Sequence, residues 1–193
     1  MIGIKTPHGI GAAEGRAHVV LFVTGGSGSG KSEYAEARCL ELGKGPKIYL
    51  ATMDASDEES LLRIKRHRQQ RAGKGFETLE CPLYLEQAEV PQTSTVLLEC
   101  LSTLAANELF APGGRGEHAG KAILAGLQKL TGRAGHTVIV SNQVFSDGTE
   151  YDPWTTAYMQ LLAELNRAAA QLADEAVEVV CGIPVQLKKF PDS

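Results

Sequence analysis

The sequence predicts an α/β fold with a mostly parallel sheet flanked by helices. Three observations predict it. Apolar runs rich in Val, Ile and Leu alternate along the chain with segments of helical periodicity. Those runs are near-continuous, as required of strands covered on both faces. The first run, residues 18–24, leads into Gly25-Gly26-Ser27-Gly28-Ser29-Gly30-Lys31-Ser32, which matches the phosphate-loop pattern GxxxxGK[S/T] between a strand and a helix.

Taken in order, strands are predicted at 18–24, 46–52, 94–100, 136–142 and 176–182, with helices at 31–43, 55–72, 101–110, 117–133 and 153–173. The second helix has a start signal, because Ser56-Asp57-Glu58-Glu59 reads as a capping box. Two shorter strands are expected at 76–80 and at 184–188, the latter closing an edge as a hairpin after Gly182. Residues 111–118 read as a loop. Strands alternating with helices imply right-handed crossovers.

At 193 residues the chain suits a single domain over 18–193, able to bury about 70% of its unfolded surface. Residues 1–17 are Gly/Ala-rich and lack the apolar core of a secretion signal, so they read as a flexible extension or an upstream start, with His8 a bystander. The net charge of −4 argues against a general nucleic-acid binder. No apolar stretch approaches the roughly 18 residues of a membrane span. Cys39, Cys81, Cys100 and Cys181 show no CxxC pairing, which argues against a zinc site or a disulfide framework. Cys100 and Cys181 end apolar runs and are expected to be buried thiols. A reduced, cytoplasmic protein is the expectation.

The chemistry begins at the glycine loop. Gly25, Gly26, Gly28 and Gly30 let the backbone curl and turn successive N–H groups toward an anion. The helix that follows adds its positive end. Lys31 is placed to reach β- and γ-phosphates, and the Ser32 hydroxyl to hold Mg²⁺. Ligands of such sheets bind at the carboxyl ends of strands. That rule selects Thr24 with the loop, Ala51 to Asp54, Glu99 with Cys100, and Ser141 to Gln143, and predicts that they share one cleft. Glu99 follows the run TVLL and resembles a Walker B carboxylate, with Mg²⁺ as its expected partner and capping of the next helix as the alternative.

The stretch Arg63-Ile64-Lys65-Arg66-His67-Arg68 is the most unusual in the chain. With Arg71 it makes one helix strongly basic. Like charges disfavour a proton on His67, and a neutral imidazole is a nucleophile. Residue chemistry alone favours a basic helix face with an incidental histidine. His118 and His136 read as structural or solvated.

The glycine loop, ATMDASDEES over 51–60, RIKRHR followed by FETLE at 76–80, LLECLSTLAANELF over 97–110 and ELNRAAAQLADEAVEVVCGIPVQLK over 164–188 occur together. In this combination the chain resembles the bacterial bifunctional adenosylcobinamide kinase / adenosylcobinamide-phosphate guanylyltransferases of cobalamin assembly, over about residues 18–189. The resemblance implies a RecA-like P-loop domain, commonly a homotrimer. It implies ATP and GTP as substrates with Mg²⁺, and adenosylcobinamide and its phosphate as acceptors. It implies a GMP–histidine intermediate on His67, with Lys31 as the other catalytic residue. The implied nucleotide contacts are Gly25, Gly26, Ser27, Gly28, Ser29, Gly30, Lys31, Ser32, Thr52, Asp54, Arg63, Glu80 and Glu99, with Ser32 and Glu99 at the metal.

The chain departs from that family where many relatives have N-E-V-G, since it has Asn142-Gln143-Val144-Phe145, and in the following SDGTEYDP. The lost charge puts a metal or guanine role at Gln143 in doubt. Tyr151, Trp154 and Tyr158 could face a corrinoid, but packing is the favoured reading. Three alternatives stand beside the bifunctional enzyme: a plain P-loop small-molecule kinase, a non-catalytic nucleotide switch, and a guanylyltransferase without kinase activity.

Overall fold

A computed structural model describes residues 18–54, 61–62, 64–65, 69, 71–143 and 151–189. Its strands are β1 (Val19–Thr24), β2 (Lys47–Ala51), β3 (Phe76–Glu80), β4 (Thr95–Leu98), β5 (His136–Val140), β6 (Glu175–Val180) and β7 (Ile183–Lys188). They form one sheet in the order β3-β2-β4-β5-β1-β6-β7. Every neighbouring pair is parallel except β6 with β7. The helices are α1 (Lys31–Leu42), α2 (Leu101–Phe110), α3 (Ala119–Arg133) and α4 (Pro153–Leu172).

The unbroken apolar runs follow from this layering. Successive strand residues point to opposite faces, and both faces are covered. Val19, Leu21 and Val23 of β1 join Tyr49, Leu97 and Val138 in a core closed by Ala35, Cys39 and Leu42 of α1. Val20 and Phe22 join Leu50, Leu98 and Ile139 in a second core, under Leu104 of α2, Ile123 and Leu127 of α3, and Leu165 of α4. The α/β architecture expected from the sequence is the observed one.

Element ends differ by one or two residues from expectation, as at β4. That strand stops at Leu98, so Glu99 and Cys100 lie beyond it. The expected helix at 117–133 opens with a 3-10 turn over Gly116–His118. The 76–80 strand forms the parallel edge beside β2. Cys181 and Gly182 join β6 to β7 with φ of 50° and 79°, the two positive values that a primed two-residue hairpin loop needs.

The burial expected of Cys100 and Cys181 is not observed. Cys39 and Cys81 are buried, Cys100 is partly exposed and Cys181 is exposed. The runs that Cys100 and Cys181 seemed to end had already stopped at Leu98 and Val180. Burial pushes the Cys81 thiol up to about 11 and raises Cys39 as well. The 1–17 extension with His8, the Ser56–Glu59 capping box, and Arg63, Arg66, His67 and Arg68 lie outside the described residues. Leu61, Leu62, Ile64, Lys65, Gln69 and Arg71 have helical backbone. No helix among the described residues is long and apolar enough to cross a membrane.

His136 opens β5 at the end of the sheet opposite the glycine loop. Burial first, then His18 and Lys47, lower its pKa below 6.5. A histidine depressed in the folded state contributes stability that is full above its unfolded value and lost as pH falls below it. Thermal unfolding followed from pH 7.5 to 5 should therefore show a falling Tm. The fall should be smaller in His136→Gln, and equal falls in both chains would count against this origin.

Candidate functional site

The glycine loop connects β1 to α1, and its geometry is set by backbone rather than side chains. Gly28 and Gly30 adopt left-handed φ of 68° and 90°. No side chain caps α1, so its first N–H groups remain available to an anion. Lys31 folds back over the loop, its Nζ donating to the Gly26 carbonyl at 3.1 Å. Burial lowers its pKa, and the neighbouring Cys100 acts in the opposite direction. Ser32 is exposed in the first turn.

The four strand ends expected to share a cleft are tied together by direct contacts. The Thr52 N–H donates to a Glu99 carboxylate oxygen at 3.0 Å, and the Thr52 hydroxyl to the Cys100 carbonyl at 3.1 Å. Asn107 of α2 donates to the Thr52 carbonyl at 2.8 Å. Thr52 is fully buried with these groups engaged, so it braces β2 against β4 behind the cleft. Asn142 donates to the Ser102 hydroxyl at 2.6 Å. The Ser141 N–H donates to the Val23 carbonyl at 2.9 Å, joining the β5 end to the strand that carries the loop. Gln143 is partly buried at the same end.

Glu99 does not cap α2. Its carboxylate faces the Thr52 N–H, and the N-cap residue Cys100 makes no side-chain cap. The Tyr49 phenol sits close by, its pKa raised by burial first and then by Glu99. Asp54 is exposed past the end of β2, and Glu80 is exposed at the end of β3. Arg63 and His67 are outside the described residues. Among the described residues no cluster of three His, Cys, Asp or Glu side chains could hold a metal by itself.

Three positions escaped the sequence reading. Arg71 had been placed on an exposed basic face, yet it is only 6% exposed. Its guanidinium lies 3.3 Å from the Tyr49 ring centroid, a stacked cation–π geometry. Its Nη1 is buried without a hydrogen-bond partner. Charge spacing had disguised a buried residue as one more surface cation. Three residues on, Lys74 pairs with Glu36 of α1 at 2.6 Å, so the segment after the basic stretch is held against both β2 and α1. Asn166 of α4 accepts from the Ser141 hydroxyl at 2.6 Å and donates to the Asn142 carbonyl at 3.1 Å. It fixes the β5 end, and its only sequence signal was its place in the ELNR segment.

The profile of the family described as cobinamide kinase / cobinamide phosphate guanyltransferase matches residues 21–187. The chain belongs to that family. It is 30% identical over 188 residues to the bifunctional adenosylcobalamin biosynthesis protein CobU of Salmonella typhimurium, covering 88% of this chain and 100% of that protein. It is 31% identical over 184 residues to CobU of Escherichia coli K12, with the same coverage. Among solved structures, a Pyrococcus horikoshii protein superposes with a TM-score of 0.50 at 10% identity, covering 90% of this chain and 88% of that one. This likeness concerns the α/β fold alone.

Membership makes the chain an enzyme of the cobinamide kinase and guanylyltransferase type, in cobalamin biosynthesis. The family's two reactions each need a polyphosphate held still while one phosphorus is attacked. Loop N–H groups, the α1 N-terminus and Lys31 are the parts of this cleft suited to that task.

Proposed function

We propose that the chain phosphorylates the aminopropanol hydroxyl of adenosylcobinamide, then transfers GMP from GTP to that phosphate through a GMP–His67 intermediate. The observation that carries this reading is the meeting of the glycine loop, Lys31 and Glu99 at one set of strand ends, in a chain whose family performs both reactions. In the kinase step the hydroxyl oxygen attacks the γ-phosphorus, the bond to the nucleoside diphosphate breaks, and the hydroxyl proton leaves to solvent. In the second reaction neutral His67 attacks the α-phosphorus of GTP and pyrophosphate departs. A phosphate oxygen of the acceptor then attacks the same phosphorus, the N–P bond breaks, and adenosylcobinamide-GDP leaves with His67 restored.

Lys31 and the loop N–H groups neutralise charge on the phosphates in both reactions. Gly25 to Ser32, Asp54, Arg63, Glu80 and Glu99 form the nucleotide set, ATP or GTP serving the kinase step. The exposed Ser32 hydroxyl and the Glu99 carboxylate suit Mg²⁺, which characteristically takes one or two protein oxygens beside phosphates and water. When bound, it would neutralise phosphate charge. We place the enzyme in the cytoplasm and assign it a homotrimeric assembly, which light scattering would check.

The test is incubation of the protein with Mg²⁺ and GTP labelled at the α- or the γ-phosphate. Acid-labile, base-stable label from the α position alone is expected, discharged on adding adenosylcobinamide phosphate. Folded, GTP-binding protein that takes up no label would leave the plain kinase as the better reading.

A further inference from the structure

The acceptor is far larger than the hydroxyl that reacts, and the rim of the cleft offers it a surface. Trp154, the sequence's single tryptophan, is 69% exposed, and Phe110 is 49% exposed. Their rings meet edge to face at 6.4 Å between centroids, and Tyr158 packs on Phe110 at 6.3 Å. Packing was the reading favoured for Trp154 from sequence, and its exposure overturns that. An exposed cluster of large aromatic side chains is the informative departure from ordinary surfaces.

This cluster is built onto rigid parts. Asp152 caps α4 by accepting from the Trp154 and Thr155 N–H groups at 2.9 and 3.1 Å, and Pro153 occupies the first turn. Trp154 therefore projects from a fixed helix start. Phe110 ends α2, the helix that begins at the floor of the cleft.

Contacts lead from the cluster to the phosphate lysine. The Tyr158 hydroxyl donates to the Ser102 carbonyl at 3.2 Å. The Ser102 hydroxyl lies 3.0 Å from the Cys100 sulfur, and Cys100 lies just past the end of β4, at the cleft that holds Lys31. Through Tyr158 and Ser102 the aromatic surface is thus tied to the start of α2, at the strand ends where the phosphate site lies.

We propose that Phe110 and Trp154, backed by Tyr158, form the platform on which the corrin ring of the acceptor rests. The inference deepens the function proposed above and rests on it. The reacting hydroxyl sits at the end of a side arm, so a macrocycle delivering it to the phosphate site must lie to one side. A flat, largely apolar ring matches exposed indole and phenyl faces, which bind such surfaces with little loss of side-chain freedom. The platform acts on acceptor binding and leaves the nucleotide reactions untouched.

The experiment compares wild type, Trp154→Ala, Phe110→Ala and Trp154→Phe in nucleotide-dependent phosphorylation of adenosylcobinamide, with GMP self-labelling measured alongside. For each alanine variant the KM for adenosylcobinamide should rise about 10-fold or more. The kcat, the nucleotide KM and the self-labelling should stay within about 3-fold, and Trp154→Phe should recover most of the loss. An unchanged acceptor KM in both alanine variants overturns the platform and leaves the enzyme's function standing. A nucleotide KM that rises in step with the acceptor KM overturns it too, by revealing a general disturbance of the fold. Wild type that self-labels yet uses neither adenosylcobinamide as phosphoryl acceptor nor its phosphate as guanylyl acceptor overturns the acceptor assignment itself.

Discussion

His67→Ala protein incubated with Mg²⁺ and α-labelled GTP is expected to retain no acid-labile nucleotide, while still binding GTP. The histidines among the described residues are poor substitutes. His18 is bonded to the Thr131 carbonyl at 2.6 Å. His136 starts β5, at the end of the sheet away from the glycine loop. His118 faces solvent beside Glu117, with its side chain 74% exposed. A phosphoramidate needs an imidazole within reach of the α-phosphorus, and among the described residues no histidine adjoins Lys31 or Glu99. Removing a covalent nucleophile abolishes the intermediate rather than slowing it. Guanylyl transfer to adenosylcobinamide phosphate should therefore disappear, while phosphorylation of adenosylcobinamide, which has no covalent step, should change less than about 3-fold. Label persisting in His67→Ala would remove His67 from the mechanism. Loss of both reactions with GTP binding intact would point to a structural role for His67 shared by the two reactions.

Much of this was legible because the signals were local. A strand, a glycine loop and a helix in sequence fix the phosphate site before any tertiary contact is known, and near-continuous apolar runs follow from a sheet with two covered faces. The Glu99 patch and the Ser141–Gln143 patch were found by one rule, that ligands gather at the carboxyl ends of strands. What was missed depends on distant contacts. The hold on Thr52 is one such contact, since Asn107, 55 residues away, donates to its carbonyl. Arg71 sat in a run of cations, and only its fold partner Tyr49 shows that it is buried. The exposure of Cys181 follows from a two-residue hairpin loop, whose tightness an apolar run conceals. Trp154 is exposed because α2 and α4 meet through Phe110 and leave one side of the indole uncovered.

The same hairpin shapes the phosphate loop, and Gly25→Ala should show how strongly. The Gly182 N–H donates to the Ser29 carbonyl at 2.8 Å, so the β6–β7 turn is seated on the loop. A Cβ at Gly25 would lie 2.6 Å from the Val179 carbonyl oxygen and 2.7 Å from the Ser29 hydroxyl, at a φ of 157°. The hydroxyl can rotate away, but the carbonyl belongs to β6. That strand is held in register with β1 through Val23↔Val177 and Thr24↔Glu178. Relief must come from the loop lifting off the hairpin, which turns its N–H groups away from the positions that phosphate oxygens need. Overpacking of this kind costs about 1–3 kcal/mol, and misdirecting several charge-assisted donors costs more in binding than in folding. Gly25→Ala should lower Tm by several degrees and weaken GTP binding by about 100-fold, read by calorimetry. Gly26→Ala is the matched control, because a Cβ there meets nothing within 4 Å, so its Tm should equal that of wild type. If the two variants melt and bind GTP alike, the hairpin is not the back wall of the loop, and the close approach at Gly25 has no bearing on nucleotide binding.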